Sequence, residues 1–332
     1  MRSVPAGSFD RLTDLAALWR AFLACRQGKA RQPRMAEFDL DADTRLVELH
    51  RELREGRYRP DPWRTRIVRD PKLRLIAAPS VRDRVLHRAL LDEIGPAYER
   101  AFVPLSFARG RGLGPHRAVL GLLAAMRHCR FRLLLDVRRY FPSVHRPTLL
   151  QLFARRLRPN DAATLDLIRV LLEANGAIYR SDAARRVMKL DVDPLPADAG
   201  LGLGSHLSQW CGAMYLDGLD HHVLRVLRPG AYLRYMDDFV LCDDDRGKLD
   251  DARTQIANWL RCERGLELDP KRRHVVPCSE ACVFLGYRVS RAGITPSRKL
   301  RRRFDQRVRA AAERGPDALT RTIAAYRGLL LF

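Results

Sequence analysis

The chain has 332 residues, 46% of them hydrophobic, a globular proportion that allows a sizeable buried core and excludes wholesale disorder. Lys and Arg number 61 against 39 Asp and Glu, a net charge of +22, and so large an excess points to a polyanionic partner, most simply nucleic acid. No apolar run approaches the roughly 20 residues that span a bilayer, the start Met1-Arg2-Ser3-Val4-Pro5 has no apolar stretch behind its charge, and the seven cysteines are odd in number and scattered; the expectation is a cytoplasmic protein with reduced thiols.

Residues 9–56 read as helices, with Leu12, Leu15, Leu18 and Phe22 at helical spacing and a second stripe at Leu46, Leu49 and Leu53 that ends at Gly56. Residues 63–78 read as two extended arms, Ile67-Val68 and Leu73 to Ile76, about a turn at Asp70-Pro71. A helical pattern covers 80–94, a Gly- and Arg-rich loop 104–115, and a further helix His116 to Arg127. Phe131 to Leu135 is an apolar run that predicts a buried strand ending in Asp136. Helix follows over 147–175, then a polar stretch 176–200 with a hairpin expected around Ala177-Ile178-Tyr179, then helix over 205–227. Tyr232 to Tyr235 and Phe239 to Leu241 are strand arms around Met236-Asp237-Asp238. A helix at about 248–264, a strand near His274–Val276, short strands about Gly286 and a basic helical tail from 297 complete the chain. Strands and helices mix without strict alternation and no fixed-period repeat occurs, which predicts an α+β fold.

Carboxylates at strand ends with apolar flanks are costly unless a cation neutralises them. Asp136 and the adjacent Asp237 and Asp238 fit this description, and hard divalent cations prefer carboxylate and phosphate oxygens. Two such ions about 3.5–4 Å apart can activate an attacking hydroxyl and stabilise a leaving oxygen in line. The alternative for any lone Asp-Asp pair is a solvated turn, and Asp243-Asp244-Asp245 is read as such a loop.

The order of the segments resembles a reverse transcriptase from about residue 60 to 290. Tyr235-Met236-Asp237-Asp238 resembles the catalytic turn of that family, and Leu135-Asp136-Val137-Arg138-Arg139-Tyr140-Phe141 its first catalytic segment. Asp70 to Ile76 with Asp83-Arg84-Val85 resembles its fingers motifs; Leu266 to Arg272 and Phe284-Leu285-Gly286-Tyr287 resemble its later palm motifs. The resemblance implies a right-hand fold: N-terminal helices and fingers over 1–130, a palm over 131–290 with an insertion near 150–200, and a short or incomplete thumb over 291–332. It implies an RNA-directed DNA polymerase in which Asp136, Asp237 and Asp238, with the Val137 carbonyl, hold two Mg²⁺ ions, Mn²⁺ being a substitute. Lys72 and Arg74 would meet the triphosphate of a dNTP, where a guanidinium binds phosphate through paired hydrogen bonds. Phe141 would be the steric gate against a ribose 2′-hydroxyl, with core packing as the alternative. Leu285, Gly286 and Tyr287 would support the primer end. The proton donor to pyrophosphate falls at Lys271 or Arg272, and Lys271 is preferred because a guanidinium keeps its proton.

Leu203-Gly204-Ser205-His206-Leu207-Ser208-Gln209 resembles the Ser-Gln form found in diversity-generating retroelements, and Ser106 to Gly112 resembles a Ser- and Ala-containing loop of that branch. Ser208 and Gln209 would then touch dNTP or template, with an N-cap by Ser208 as the alternative. This branch implies a bacterial or phage-encoded enzyme, an RNA template and RNA–DNA hybrid as partners, a small basic accessory protein, and no membrane. A group II intron-like or phage-defence reverse transcriptase is the second reading, and a catalytically silent RNA-binding protein of the same fold the third. Arg301, Arg302, Arg303, Arg307 and Arg309 are candidate phosphate contacts or a solvated basic face.

Overall fold

The structure is a computed structural model and describes residues 3–68, 74–107, 113–188, 190, 192, 194–272 and 274–330, without the side chains of 160 and 183. The chain opens with α1 (Ser8–Thr13), α2 (Leu15–Arg26), α3 (Pro33–Leu40), α4 (Ala42–Arg54), β1 (Arg64–Val68), β2 (Arg74–Ala78) and α5 (Val81–Glu99). Then come α6 (Pro115–His128), β3 (Phe131–Asp136), α7 (Tyr140–Ser143), α8 (Arg146–Ala154), α9 (Ala162–Ala177), α10 (Asp182–Met188), α11 (His206–Tyr215) and α12 (Asp217–His222). The remainder is β4 (Ala231–Tyr235), β5 (Asp238–Asp243), α13 (Arg246–Trp259), β6 (Val275–Pro277), β7 (Cys282–Phe284), β8 (Tyr287–Ser290), β9 (Gly293–Pro296), α14 (Arg298–Ala312) and α15 (Pro316–Leu330). The fold is α+β, with antiparallel sheets.

The chain forms two compact units, each discontinuous in sequence. One takes Met1–Phe102, Arg138–Gly218 and Arg261–Leu266; the other takes Val103–Val137, Leu219–Leu260 and Glu267–Phe332.

The second unit is built on a four-stranded sheet in the order β4-β5-β3-β6. Its central strands read as continuous apolar runs because helices cover both faces. Alternate residues Leu233, Val240 and Cys242 join Val119, Leu122 and Met126 of α6 in one core. Leu133, Leu135, Phe239 and Leu241 alternate with them and are buried, and α13 packs on β3, β5 and β6. A second sheet, β7-β8-β9, adds Phe284, Tyr287 and Val289 to the α6 core.

In the first unit α5 is the central helix and packs against α1, α2 and α11. The Ser80 hydroxyl caps it by accepting the Asp83 amide at 3.0 Å. Trp210 of α11 stacks on Phe153 with ring centres 5.9 Å apart and meets Tyr98 edge-on at 5.5 Å. The arms expected at 63–78 are β1 and β2; the expected turn lies outside the described residues. The hairpin expected near 177–179 is instead a 3-10 turn, Ile178–Arg180, followed by α10. The physical reason is a cap: the Ser181 hydroxyl accepts the Ala184 amide at 3.2 Å and starts a helix.

Candidate active site

β3 and β5 run antiparallel, so the C-terminal end of one and the N-terminal start of the other share an edge. Their register pairs Asp136 with Asp238. Directly paired residues in antiparallel strands have Cα atoms roughly 4.5–5.5 Å apart, and like charges there repel. Tyr235 pairs with Asp238 in turn, so Met236 and Asp237 form a two-residue loop. Met236 sits at φ 56°, a left-handed conformation that costs a non-glycine residue on the order of 1 kcal/mol and persists only where the surroundings impose it.

Residues 267–272 close on this edge. The Asp136 carbonyl accepts the Asp269 amide at 2.7 Å, and Val137 bridges Leu268. The Arg272 Nη1 donates to the Asp238 Oδ1 at 2.6 Å, placing a positive charge on the repelling pair. Lys271 is exposed, its amide held by the Asp269 carboxylate at 2.9 Å. The two basic neighbours are thus separated by geometry: Arg272 is committed to Asp238, and the Lys271 side chain faces solvent.

The donor chemistry suits a hard divalent ion: three half-buried carboxylates at one sheet edge, one of them already holding a cation. Among the described residues, no group of three or more His, Cys, Asp or Glu is arranged to hold a metal as it stands. The Arg272 guanidinium takes the position on Asp238 that a divalent ion would contest.

A buried ionic network lies next to the turn. Arg234 of β4 and Asp220 of α12 are both fully buried. The Arg234 Nε donates to the Asp220 Oδ1 at 2.7 Å and Nη2 to Oδ2 at 2.5 Å, while the Tyr232 hydroxyl donates to Oδ1 at 2.6 Å. Burial and the neighbouring Asp220 charge push the Tyr232 hydroxyl well above its ordinary pKa, so it stays a donor. The third guanidinium nitrogen donates to the Met236 carbonyl at 3.0 Å. Sequence reasoning missed these residues; the signal was a single arginine inside an apolar strand, which demands a counterion.

The other candidates divide between the units. Arg74 is exposed on β2, and Lys72 lies outside the described residues. Phe141 is half-buried, its ring 5.3 Å from that of Tyr140. Gly212 leaves room for it: a Cβ there would lie 3.3 Å from the Phe141 ring. Ser205, not Ser208, caps α11, its hydroxyl accepting the Ser208 amide at 3.4 Å. The Ser208 hydroxyl is buried and donates to the Asn175 Oδ1 at 3.0 Å, whereas Gln209 is exposed. Gly204, at φ 129°, is required by a close approach: a Cβ would fall 2.6 Å from the Ala77 carbonyl of β2.

In the second unit Leu285 (φ 48°) and Gly286 (φ 90°) form the two-residue loop between β7 and β8, the double positive φ of a type I′ hairpin. Tyr287 is buried, its hydroxyl 2.7 Å from the His116 Nε2 and donating to the Leu329 carbonyl at 2.9 Å. Of the loop expected at 104–115, the described part forms a bridge from Ser106 to Arg234. Of Asp243-Asp244-Asp245, Asp243 is the buried last residue of β5, while Asp244 and Asp245 are exposed beyond the strand. Asp243 accepts the Gly230 amide at 2.8 Å, Asp244 the Arg130 amide at 2.9 Å, and Asp245 caps α13.

An antiparallel sheet with three aspartates at the end of its central strands and helices on both faces fits a polymerase-type chain. A family model described as reverse transcriptase (RNA-dependent DNA polymerase) matches residues 68–289, and the chain belongs to that family. Protein YkfC of Escherichia coli is 25% identical over 276 residues, covering 74% of this chain and 71% of that protein. Telomerase from Candida albicans, in complex with a fragment of telomeric RNA, aligns over 73% of this chain with 12% identity and a TM-score of 0.48; the chain spans 46% of that telomerase chain. No described helix is long and apolar enough to cross a membrane.

Proposed function

We propose that the chain copies an RNA template into DNA by nucleotidyl transfer, and that it is the mutagenic reverse transcriptase of a diversity-generating retroelement. The observation that carries the reading is the register that sets Asp136 opposite Asp238, beside the Asp237 turn, in a chain of this family. In the reaction the primer 3′-hydroxyl attacks the α-phosphate of a dNTP and pyrophosphate leaves. Asp136, Asp237 and Asp238, with the Val137 carbonyl, hold two Mg²⁺ ions. Bound there, the ions supply activation of the hydroxyl and charge neutralisation at the leaving oxygen.

The chain's own residues do the rest. Lys72 and Arg74 hold the triphosphate, and Phe141 excludes a ribose 2′-hydroxyl by bulk. Gln209, exposed at the start of α11, contacts nucleotide or template, and the buried Ser208 positions it. Leu285 and Gly286, at the tip of a tight hairpin, support the primer end with Tyr287 as their anchor. Lys271 protonates the leaving pyrophosphate. The Ser-Gln segment supports the retroelement assignment, and with it an RNA–DNA hybrid held by shape and backbone contacts and a small basic accessory protein.

The test is extension of a primed RNA with Mg²⁺ and four dNTPs, followed by sequencing of the cDNA. The wild type extends, and its errors concentrate at template adenines. Asp237→Asn and Asp238→Asn lose at least ~1,000-fold in rate with an unchanged circular dichroism spectrum. Uniform fidelity assigns the chain to a group II intron-like or phage-defence type. Near-normal extension by either variant removes the site, and hybrid binding without any extension leaves an RNA-binding protein.

A further inference from the structure

A peptide unit is planar, so an anchor on one carbonyl fixes the amide and Cα that follow it. The carbonyl of Met236 belongs to the same plane as the amide and Cα of Asp237. That carbonyl accepts the Arg234 Nη1 at 3.0 Å. The guanidinium cannot drift, because its other edge is locked on Asp220 at 2.7 and 2.5 Å, and both side chains are fully buried. The backbone of Arg234 is held as well: its amide donates to the Leu105 carbonyl at 3.0 Å and its carbonyl accepts the Phe107 amide at 2.8 Å. Met236 meanwhile carries the left-handed φ of 56° that sets the direction of the next residue. A buried ion pair is a poor way to add stability, yet this one has a third donor aimed at the peptide that joins Met236 to Asp237.

We infer that Asp220 and Arg234 are positioning residues: through the Met236 carbonyl they hold the Asp237 carboxylate where it binds divalent ions. The inference rests on Asp237 being a metal ligand. A planar guanidinium satisfies two carboxylate oxygens and a carbonyl at once, whereas a lysine ammonium keeps the charge but not the fork.

The experiment titrates Mn²⁺ by electron paramagnetic resonance with dNTP present, and measures single-nucleotide addition and hybrid affinity alongside. Two alterations are compared: Arg234→Lys, and the double replacement Asp220→Leu with Arg234→Met, which removes both charges together and so leaves neither buried alone. Tyr58→Phe, which breaks the Tyr58–Asp83 hydrogen bond of 2.7 Å in the other unit, is the control for a loss of stability alone. The expected result is a Mn²⁺ half-saturation raised about tenfold and kcat lowered about 100-fold in both alterations, with hybrid affinity within about twofold of wild type. Tyr58→Phe lowers the melting temperature and leaves the Mn²⁺ curve in place. Wild-type Mn²⁺ binding and kcat in either folded alteration, or losses no larger than those of Tyr58→Phe, overturns the inference; if Arg234→Lys does not fold, the double replacement decides. Asp237→Asn in the same titration separates the two ideas: wild-type Mn²⁺ binding by that variant removes the metal reading itself.

Discussion

At the scale of single residues, Lys271 and Arg272 are adjacent in sequence and opposite in consequence. Arg272 sits on Asp238 at 2.6 Å and competes with any divalent ion for that carboxylate. Arg272→Ala is therefore expected to lower the Mg²⁺ concentration for half-maximal extension a few-fold. Lys271→Ala is expected to lower kcat about 100-fold, in the range of a lost general acid, with the Mg²⁺ dependence unmoved. Two Mg²⁺ titrations of extension rate decide both, and identical behaviour of the two variants rejects the assignment. The three aspartates were picked out by the order of motifs that resembles a reverse transcriptase; their apolar flanks alone leave the strand register open, and it is the fold that pairs Asp136 with Asp238. The Arg234–Asp220 pair was not legible: 14 residues separate the partners, and burial at both is a property of the folded core alone.

Among elements, Asn175 of α9 ties three backbone segments together. Its side-chain amide donates to the Leu171 carbonyl at 2.8 Å, and its Oδ1 accepts the Gly202 amide and the Ser208 hydroxyl at 3.0 Å each. Asn175→Ala would strand two buried donors, so a destabilisation of about 2–4 kcal/mol is expected, read from the urea midpoint. An unchanged midpoint would mean that water reaches the cavity. Long elements were readable from periodicity: α5, α6 and β3 follow their apolar spacing closely. β9 was not, since Gly293-Ile294-Thr295-Pro296 carries a residue that weakens strands at one end and one that cannot donate at the other. The helix at 182–188 was misread because its start is set by one serine cap rather than by an apolar stripe.

For the molecule as a whole, the net charge of +22 predicts that binding of the proposed RNA–DNA hybrid falls steeply with salt. Arg301 and Arg302 are exposed on α14, while Arg303 stacks on Tyr326 at 5.8 Å. The double change Arg301→Ala with Arg302→Ala is expected to reduce the slope of log K against log salt by about 1–2; an unchanged slope would make that face merely solvated. The sheet order has a further consequence, for synthesis. β3 lies between β5 and β6, and both neighbours are made more than 100 residues after it. At ribosomal rates the nascent strand, with Leu133, Leu134 and Leu135 at its centre, waits on the order of ten seconds for either partner. Through that interval two open edges and an apolar face are offered to any other strand in the cell. The expected outcome is that soluble yield falls in a host depleted of holding chaperones and recovers when translation across residues 137–243 is hastened, and an unchanged yield in such a host rejects this reading.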